Sequence, residues 1–362
     1  VATASLAQIV SKAGQKTPGA PPRYTIAFKR GDPVAGIDST PAIRLPFDCT
    51  SDGTVFVTLA SFPRANSGLR PLPPGPPPML LTSVPRSGDG RTFRLDRVPD
   101  LHISEQVDSF AFDSGVLFLV NASQENKPQK RAYTVGDYHG ESTVNTAEQS
   151  TYILVFSREG EYKRTIPITD EFEIRKVGVF PSGTFLALGY DRKDHIPRLV
   201  MLKEDGTLLK PLEIPKEGAP ESMSDSTHTI VPSQLVSRDH TIIIAQTRGN
   251  YPLLEISEGG SIRAIRPKLG NGEQLESLIP ADKNIYVVAR RVTQQERTEE
   301  SIYEVRPEDG TAIRSFTLSE TGRSADSVAC VIDGKFLSLD YGEDKVVRLI
   351  GSAEPIAGAR GR

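Results

Sequence analysis

Few side chains in this sequence have the types and spacing that catalysis or metal binding requires. Five histidines occur (His102, His139, His195, His228 and His240), and none has a second His or Cys at the spacing of a metal-ligand pair. The densest polar cluster is Asp191-Arg-Lys-Asp-His195, in which Asp191, Asp194 and His195 bring two carboxylates and an imidazole into five residues. A carboxylate–imidazole pair binds a metal or moves a proton near neutral pH, although the same residues also make an ordinary polar turn. Asp340-Tyr-Gly-Glu-Asp344 is ambiguous in the same way. No G-x-S-x-G elbow, P-loop, C-x-x-C or haem-attachment sequence occurs. The sequence therefore assigns no catalytic residue and no cofactor.

Composition narrows the partners. The 362 residues carry 43 Lys and Arg against 46 Asp and Glu, a formal charge of −3. No overall basic field draws the chain to nucleic acid or to an anionic membrane. Hydrophobic residues make up 37%, with 14 Phe and 10 Tyr, which is enough for a packed core. No apolar run reaches the roughly 18 residues of a membrane span. The first residues, Val1-Ala-Thr-Ala-Ser-Leu-Ala-Gln8, read either as the small-residue end of a secretory signal or as an Ala-rich arm. Residues 1–23 and 351–362 are expected outside the core, as a flexible or partner-binding arm and a tail.

The elements that would position any site come from repetition. A short turn followed by an apolar run occurs six times: Asp52-Gly-Thr-Val-Phe-Val57, Ser114-Gly-Val-Leu-Phe-Leu119, Ser182-Gly-Thr-Phe-Leu-Ala187, Asp239-His-Thr-Ile-Ile-Ile244, Lys283-Asn-Ile-Tyr-Val-Val288 and Asp333-Gly-Lys-Phe-Leu-Ser338. From Gly53 to Gly334 is 281 residues over five intervals, or about 56 per unit. A second run follows each, as in Leu253-Leu-Glu-Ile256 and Ile302-Tyr-Glu-Val305, and five of the six reach a turn ending in Gly. Each unit reads as four strands, a to d. Strand b is apolar throughout, as a strand buried on both faces must be. Strand d carries a basic residue (Arg94, Arg164, Lys210, Arg263, Arg314), which reads as protection of an exposed edge.

Six such units resemble the NHL-type and TolB-like six-bladed β-propellers over residues 24–350. The expected fold is all-β: a single six-bladed β-propeller of four-stranded antiparallel blades. The sixth unit lacks strand d, and Tyr24-Thr-Ile-Ala-Phe28 is a spare strand. The simplest closure uses this N-terminal strand as strand d of the last blade. Cys49 and Cys330 then fall in the first strands of blades one and six, neighbours at the closure. They are expected as either a disulfide stapling the ring or two buried free thiols. A bridge would fit an oxidising compartment.

Strand alternation puts the b–c and d–a connections on one face. The long insertions at 60–78, with Leu72-Pro-Pro-Gly-Pro-Pro-Pro78, and at 121–151 and 216–229 all belong there. Long loops on a rigid scaffold are where binding surfaces develop. The resulting expectation is an exported, non-enzymatic binding or structural module, secreted, periplasmic or on the cell surface. It would take a protein or polysaccharide on the long-loop face and self-associate through the N-terminal arm. The alternative follows from the resemblance: a metal-dependent, lactonase-like hydrolase or lyase with a divalent cation in the central channel. The inner strands offer Asp48, Asp108, Arg175 and Ser233 there, which do not match such a ligand set. Asn121-Ala-Ser123 is a formal glycosylation sequon, taken as a chance match.

Overall fold

The computed structural model describes residues 21–28, 42–60, 79–86, 90–95, 98–135, 138–168, 172–193, 196–214, 233–238, 240–246, 251–281, 284–292, 298–318, 325–341, 347–352 and 356–357. After β1 (Arg23–Ile26), the chain builds one antiparallel sheet after another. Blade one is β2 (Ala42–Cys49), β3 (Val55–Ala60), β4 (Met79–Val84) and β5 (Arg91–Thr92). Blade two is β6 (His102–Phe112), β7 (Gly115–Ser123), β10 (Ser150–Ser157) and β11 (Tyr162–Pro167). Between β7 and β10 it carries a separate hairpin, β8 (Pro128–Val135) and β9 (Tyr138–Asn145). Blade three is β12 (Phe172–Val179), β13 (Phe185–Asp191), β14 (Pro197–Leu202) and β15 (Leu208–Leu212), and blade four is β16 (Ser233–Arg238), β17 (Thr241–Gln246), β18 (Leu253–Ser257) and β19 (Ile262–Ile265). Blade five is β20 (Gln274–Ile279), β21 (Ile285–Val292), β22 (Thr298–Val305) and β23 (Ala312–Leu318). Blade six is β24 (Val328–Ile332), β25 (Lys335–Tyr341) and β26 (Val347–Gly351). The first strands touch in the order β2, β6, β12, β16, β20, β24 and back to β2, so the chain is a six-bladed β-propeller around a central channel.

The repeated glycines mark the turns. Gly160, Gly206 and Gly260 each donate their N–H to the carbonyl three residues earlier and have φ of 85°, 86° and 78°. This left-handed backbone suits glycine, and the extra residue shifts the c–d register just inside the turn at Phe156 and Leu202. The b strands are buried almost end to end, as in β17 and β13. Their apolar side chains fill layers between neighbouring blades rather than one central core. Phe93, Phe118 and Phe156 meet between blades one and two, with Phe118 and Phe156 ring centroids 5.3 Å apart. Tyr286, Phe316 and Phe336 do the same between blades five and six.

Closure differs from the simplest sequence expectation. The N-terminal strand is not strand d of blade six. Instead β1 runs parallel to β23 as a fifth strand of blade five, with Arg23 opposite Ser315 and Ile26 opposite Leu318. Burial explains the choice: Ile26 is fully enclosed against the blade five–six layer, and Tyr24 lies 5.6 Å from Phe316. The segment reaches blade six one turn later, where Phe28 bridges Ser352. The expected C-terminal tail is likewise partly in the sheet, because β27 (Ile356–Ala357) pairs with β1. Strand-d basic residues also do more than guard an edge. Arg263 pairs with Glu255, and Arg314 with Glu304, each glutamate nearly buried in the adjacent strand c. A buried carboxylate needs such a partner.

The seam between blades six and one is joined by a disulfide, Cys49–Cys330, with a Cα–Cα distance of 6.1 Å. It spans 281 residues of sequence, so loop closure makes it stabilising by about 5–6 kcal/mol on the chain-entropy account. Denatured, unreduced protein should therefore show no thiol that reacts with a maleimide, and two after reduction. The Cys49→Ser/Cys330→Ser pair should lose about that much unfolding free energy in a denaturant titration, with retained far-UV circular dichroism. Two reactive thiols in denatured, unreduced protein would contradict the bridge.

Candidate functional site

The first strands, which line the channel, place three charged side chains together across blades one to three. Asp48 on β2 accepts the backbone N–H of Ala111 on β6 at 3.1 Å. Asp108 on β6 reaches β12, taking the Val177 N–H at 3.2 Å and the Lys176 ammonium at 2.7 Å. Two carboxylates thus share one lysine in a half-buried site. Burial, and then the Asp108 charge beside it, push the Asp48 carboxyl up to about 7. Burial opposes the charged form of Lys176, but Asp108 and Asp48 outweigh it and hold the ammonium above its usual range. Burial raises the Asp108 carboxyl as well, with the Lys176 ammonium in contact pulling the other way, so the two carboxylates titrate as a coupled pair. The arrangement can store and release a proton, and it ties three blades together.

A cavity of about 450 Å³ opens where the first strands end. Every blade contributes its a–b corner to the wall: Thr50, Asp113, Pro181, Arg238, Ala281 and Ile332 come from blades one to six in turn. It therefore lies at the channel end opposite the b–c connections. Cys49 of the seam disulfide is part of the wall. Asp113 accepts the Ser51 N–H at 2.9 Å, and Arg238 donates through Nη1 to Glu255 at 3.0 Å.

The residues singled out by sequence distribute unevenly over this geometry. Asp48 and Asp108 come together as described. Arg175 pairs instead with Glu173 on its own strand. Asp191 closes a turn, accepting the Lys193 N–H at 2.8 Å and pairing with Arg198 at 2.7 Å. Asp194 and His195 lie outside the described residues, as do the insertions 61–78 and 216–229 and most of Asp340–Asp344. Asn121 is engaged by Glu105 and Thr151, and Ser123 is buried, so the sequon is a strand segment rather than an open acceptor. Sequence reasoning missed Lys176 and the Asp113–Arg238 cavity. A lysine six residues before the Ser182-Gly183 turn of one unit carries no local signal; only the ring puts it against the previous blade's aspartate.

The Asp48 proton gives a measurable sign. Its folded pKa lies above the ordinary 3.8, so the native state binds the proton more tightly than the unfolded chain. Its contribution to stability is complete below about pH 4, falls as pH rises toward about 7, and is flat above. Asp48→Asn keeps an oxygen for the Ala111 N–H and removes the ionisation. The wild-type Tm should drop relative to the variant between pH 5 and pH 7.5. A constant difference across that range would show that Asp48 is ionised throughout.

No protein-family model matches the chain, and no curated protein matches it significantly. Among solved structures, a subtype N11 neuraminidase-like protein of A/flat-faced bat/Peru/033/2010 is 12% identical with a TM-score of 0.43, over 95% of this chain and 96% of that one. A protein of unknown function from Bacteroides caccae is 11% identical with a TM-score of 0.37, over 76% of this chain and 86% of that one. A candidate dipeptidyl aminopeptidase IV from Bacteroides ovatus ATCC 8483 is 10% identical with a TM-score of 0.41, over 76% of this chain, and the match spans only 40% of its own length. Likenesses this loose carry no activity, substrate or partner to this chain, whose six-bladed propeller fold rests on its own strand pairing.

Proposed function

We propose that this chain is an exported, non-enzymatic β-propeller that binds a protein or polysaccharide, as a binding or structural module of a cell-surface or extracellular assembly. The observation that supports the reading is the β8–β9 hairpin. It extends from the b–c connection of blade two through eight residue pairs, from Pro128–Asn145 to Val135–Tyr138. Its base is fixed by Asn145, whose amide donates to Ser123 Oγ at 2.7 Å and to the Glu125 carbonyl, and whose Oδ1 accepts from the N–H groups of Lys127 and Ala147. From Pro128 to Ala132 every residue is exposed, and no hairpin residue whose side chain is described joins a hydrophobic cluster. A lone two-stranded hairpin is marginal in water, so a partner that completes it gives it purpose. Its strands also carry Tyr133 and Tyr138, a residue type that dominates binding hot spots.

Other parts of the proposal follow the same line. The seam disulfide fits a secreted, periplasmic or cell-surface location. No cofactor, nucleic acid or membrane span is part of it, and the residues ahead of β1 are a second contact point, for another copy of the chain. A lactonase-like hydrolase or lyase is the competing reading, and the Asp48–Asp108 pair in the channel is the feature that favours it, since adjacent carboxylates can take a divalent cation. Against it, Lys176 already occupies the Asp108 carboxylate.

Replacing residues 126–146 by an Asn-Gly turn tests the proposal. On an array of polysaccharides and immobilised peptides, the wild type should bind at least one class and the shortened protein should lose it at least tenfold, with Tm little changed. Native mass spectrometry should give metal-free protein. Equal binding by both proteins, or one stoichiometric divalent cation per chain, would overturn the reading.

A further inference from the structure

The direction of β1 sets the two contact points proposed above on opposite faces of the ring. β23 follows the c–d turn at Gly310, so it runs from the a–b side toward the b–c side. β1 is parallel to it, with Arg23 opposite Ser315 and Ile26 opposite Leu318, and the Ser315 N–H donates to the Pro22 carbonyl at 2.9 Å. The chain therefore enters β1 from the a–b side. The β8–β9 hairpin leaves from a b–c connection, on the other side. No third strand pairs with either of its edges among the described residues. Those two edges are unlike. β8 carries Pro128, Lys130 and Arg131, residue types that block or discourage an added strand. β9 holds no proline and no Lys or Arg, and Glu141 is its single carboxylate. β9 is thus the edge left open to pairing.

A strand donor is present at the start of the sequence. Residues 1–10, Val-Ala-Thr-Ala-Ser-Leu-Ala-Gln-Ile-Val, hold no charge, proline or glycine, and Val1, Thr3, Ile9 and Val10 are β-branched. That composition suits an added strand, whose affinity comes from main-chain hydrogen bonds. On the reading that the hairpin and the residues ahead of β1 are contact points, we propose that residues 1–10 of one copy add as a strand to the β9 edge of a second copy, joining copies head to tail. Residues 11–22 span up to about 40 Å when extended, and an eight-residue strand about 27 Å, so the segment reaches an edge on the next ring. Each copy then has one donor and one acceptor on opposite faces. Such a heterologous contact continues past two copies instead of closing as a twofold dimer.

Native mass spectrometry over a concentration series tests this on the wild type, a chain lacking residues 1–20, and the chain in which an Asn-Gly turn replaces residues 126–146. The wild type should form species larger than a dimer, and each altered chain alone should stay monomeric. Mixed in equal amounts, the two should give heterodimers and nothing larger, because one retains only the acceptor and the other only the donor. Leu6→Pro lies ahead of the ring and keeps the whole chain, so it serves even where an altered chain fails to fold. It should weaken association about tenfold or more with Tm unchanged, since proline removes a ladder hydrogen bond. A monomeric wild type, a dimer that grows no further, assembly by either altered chain alone, a mixture of folded chains that fails to pair, or undiminished association of Leu6→Pro would overturn the proposal. A wild type that stays monomeric yet binds the array through its hairpin would overturn head-to-tail joining alone and leave the binding reading in place.

Discussion

Each blade is completed by the next one. A four-stranded sheet with two apolar faces cannot stand in water, and the ring solves this by stacking face on face until the last meets the first. Packing alone would allow blades to slide, since apolar contact has little direction. Directional ties fix the seams. Asp48 reaches Ala111 across the first, and Asp108 reaches Val177 and Lys176 across the second. Glu258 takes the Ser182 N–H across the third, and Gln234 exchanges two bonds with the Leu278 backbone across the fourth. Val331 N–H meets the Pro280 carbonyl across the fifth, and the disulfide crosses the sixth.

This constraint decides what the channel can do. Polar side chains on the first strands look like ligands waiting for a cation when viewed one blade at a time. In the ring they are engaged by a neighbouring backbone N–H or by Lys176. Burial and the Asp108 charge push the second carboxylate, Asp48, up to about 7, so the pair exchanges a proton near neutral pH. The two ends of the channel differ from each other. One end carries the β8–β9 hairpin, held by a hydrogen-bonded base. The other is the six-cornered cavity, where short turns bring charge and apolar surface together.

Much of this organisation was legible in the residues. The turn glycines and the largely apolar b strands mark the blades, because a left-handed turn position and a doubly buried strand each restrict residue choice locally. The basic residues of strand d were visible but misread. Arg263 and Arg314 answer Glu255 and Glu304 on the adjacent strand, a cross-strand pair whose significance depends on how deeply the glutamates are buried. The hairpin in blade two was visible as an insertion of 121–151, though not as two paired strands.

What the sequence by itself determined is the unit: its length, its strands, its turns and the number of copies, all set by local backbone preference and recurring apolar runs. Tertiary structure alone decided how the copies address one another. It set β1 on blade five, where Ile26 finds an enclosed site and Phe316 a stacking partner, rather than on the three-stranded blade six. It brought Lys176 to Asp108, 68 residues apart, and Asp113 and Arg238 to one cavity. Such contacts depend on the angle between blades and on ring closure, which are properties of the assembled circle and leave no period in the chain.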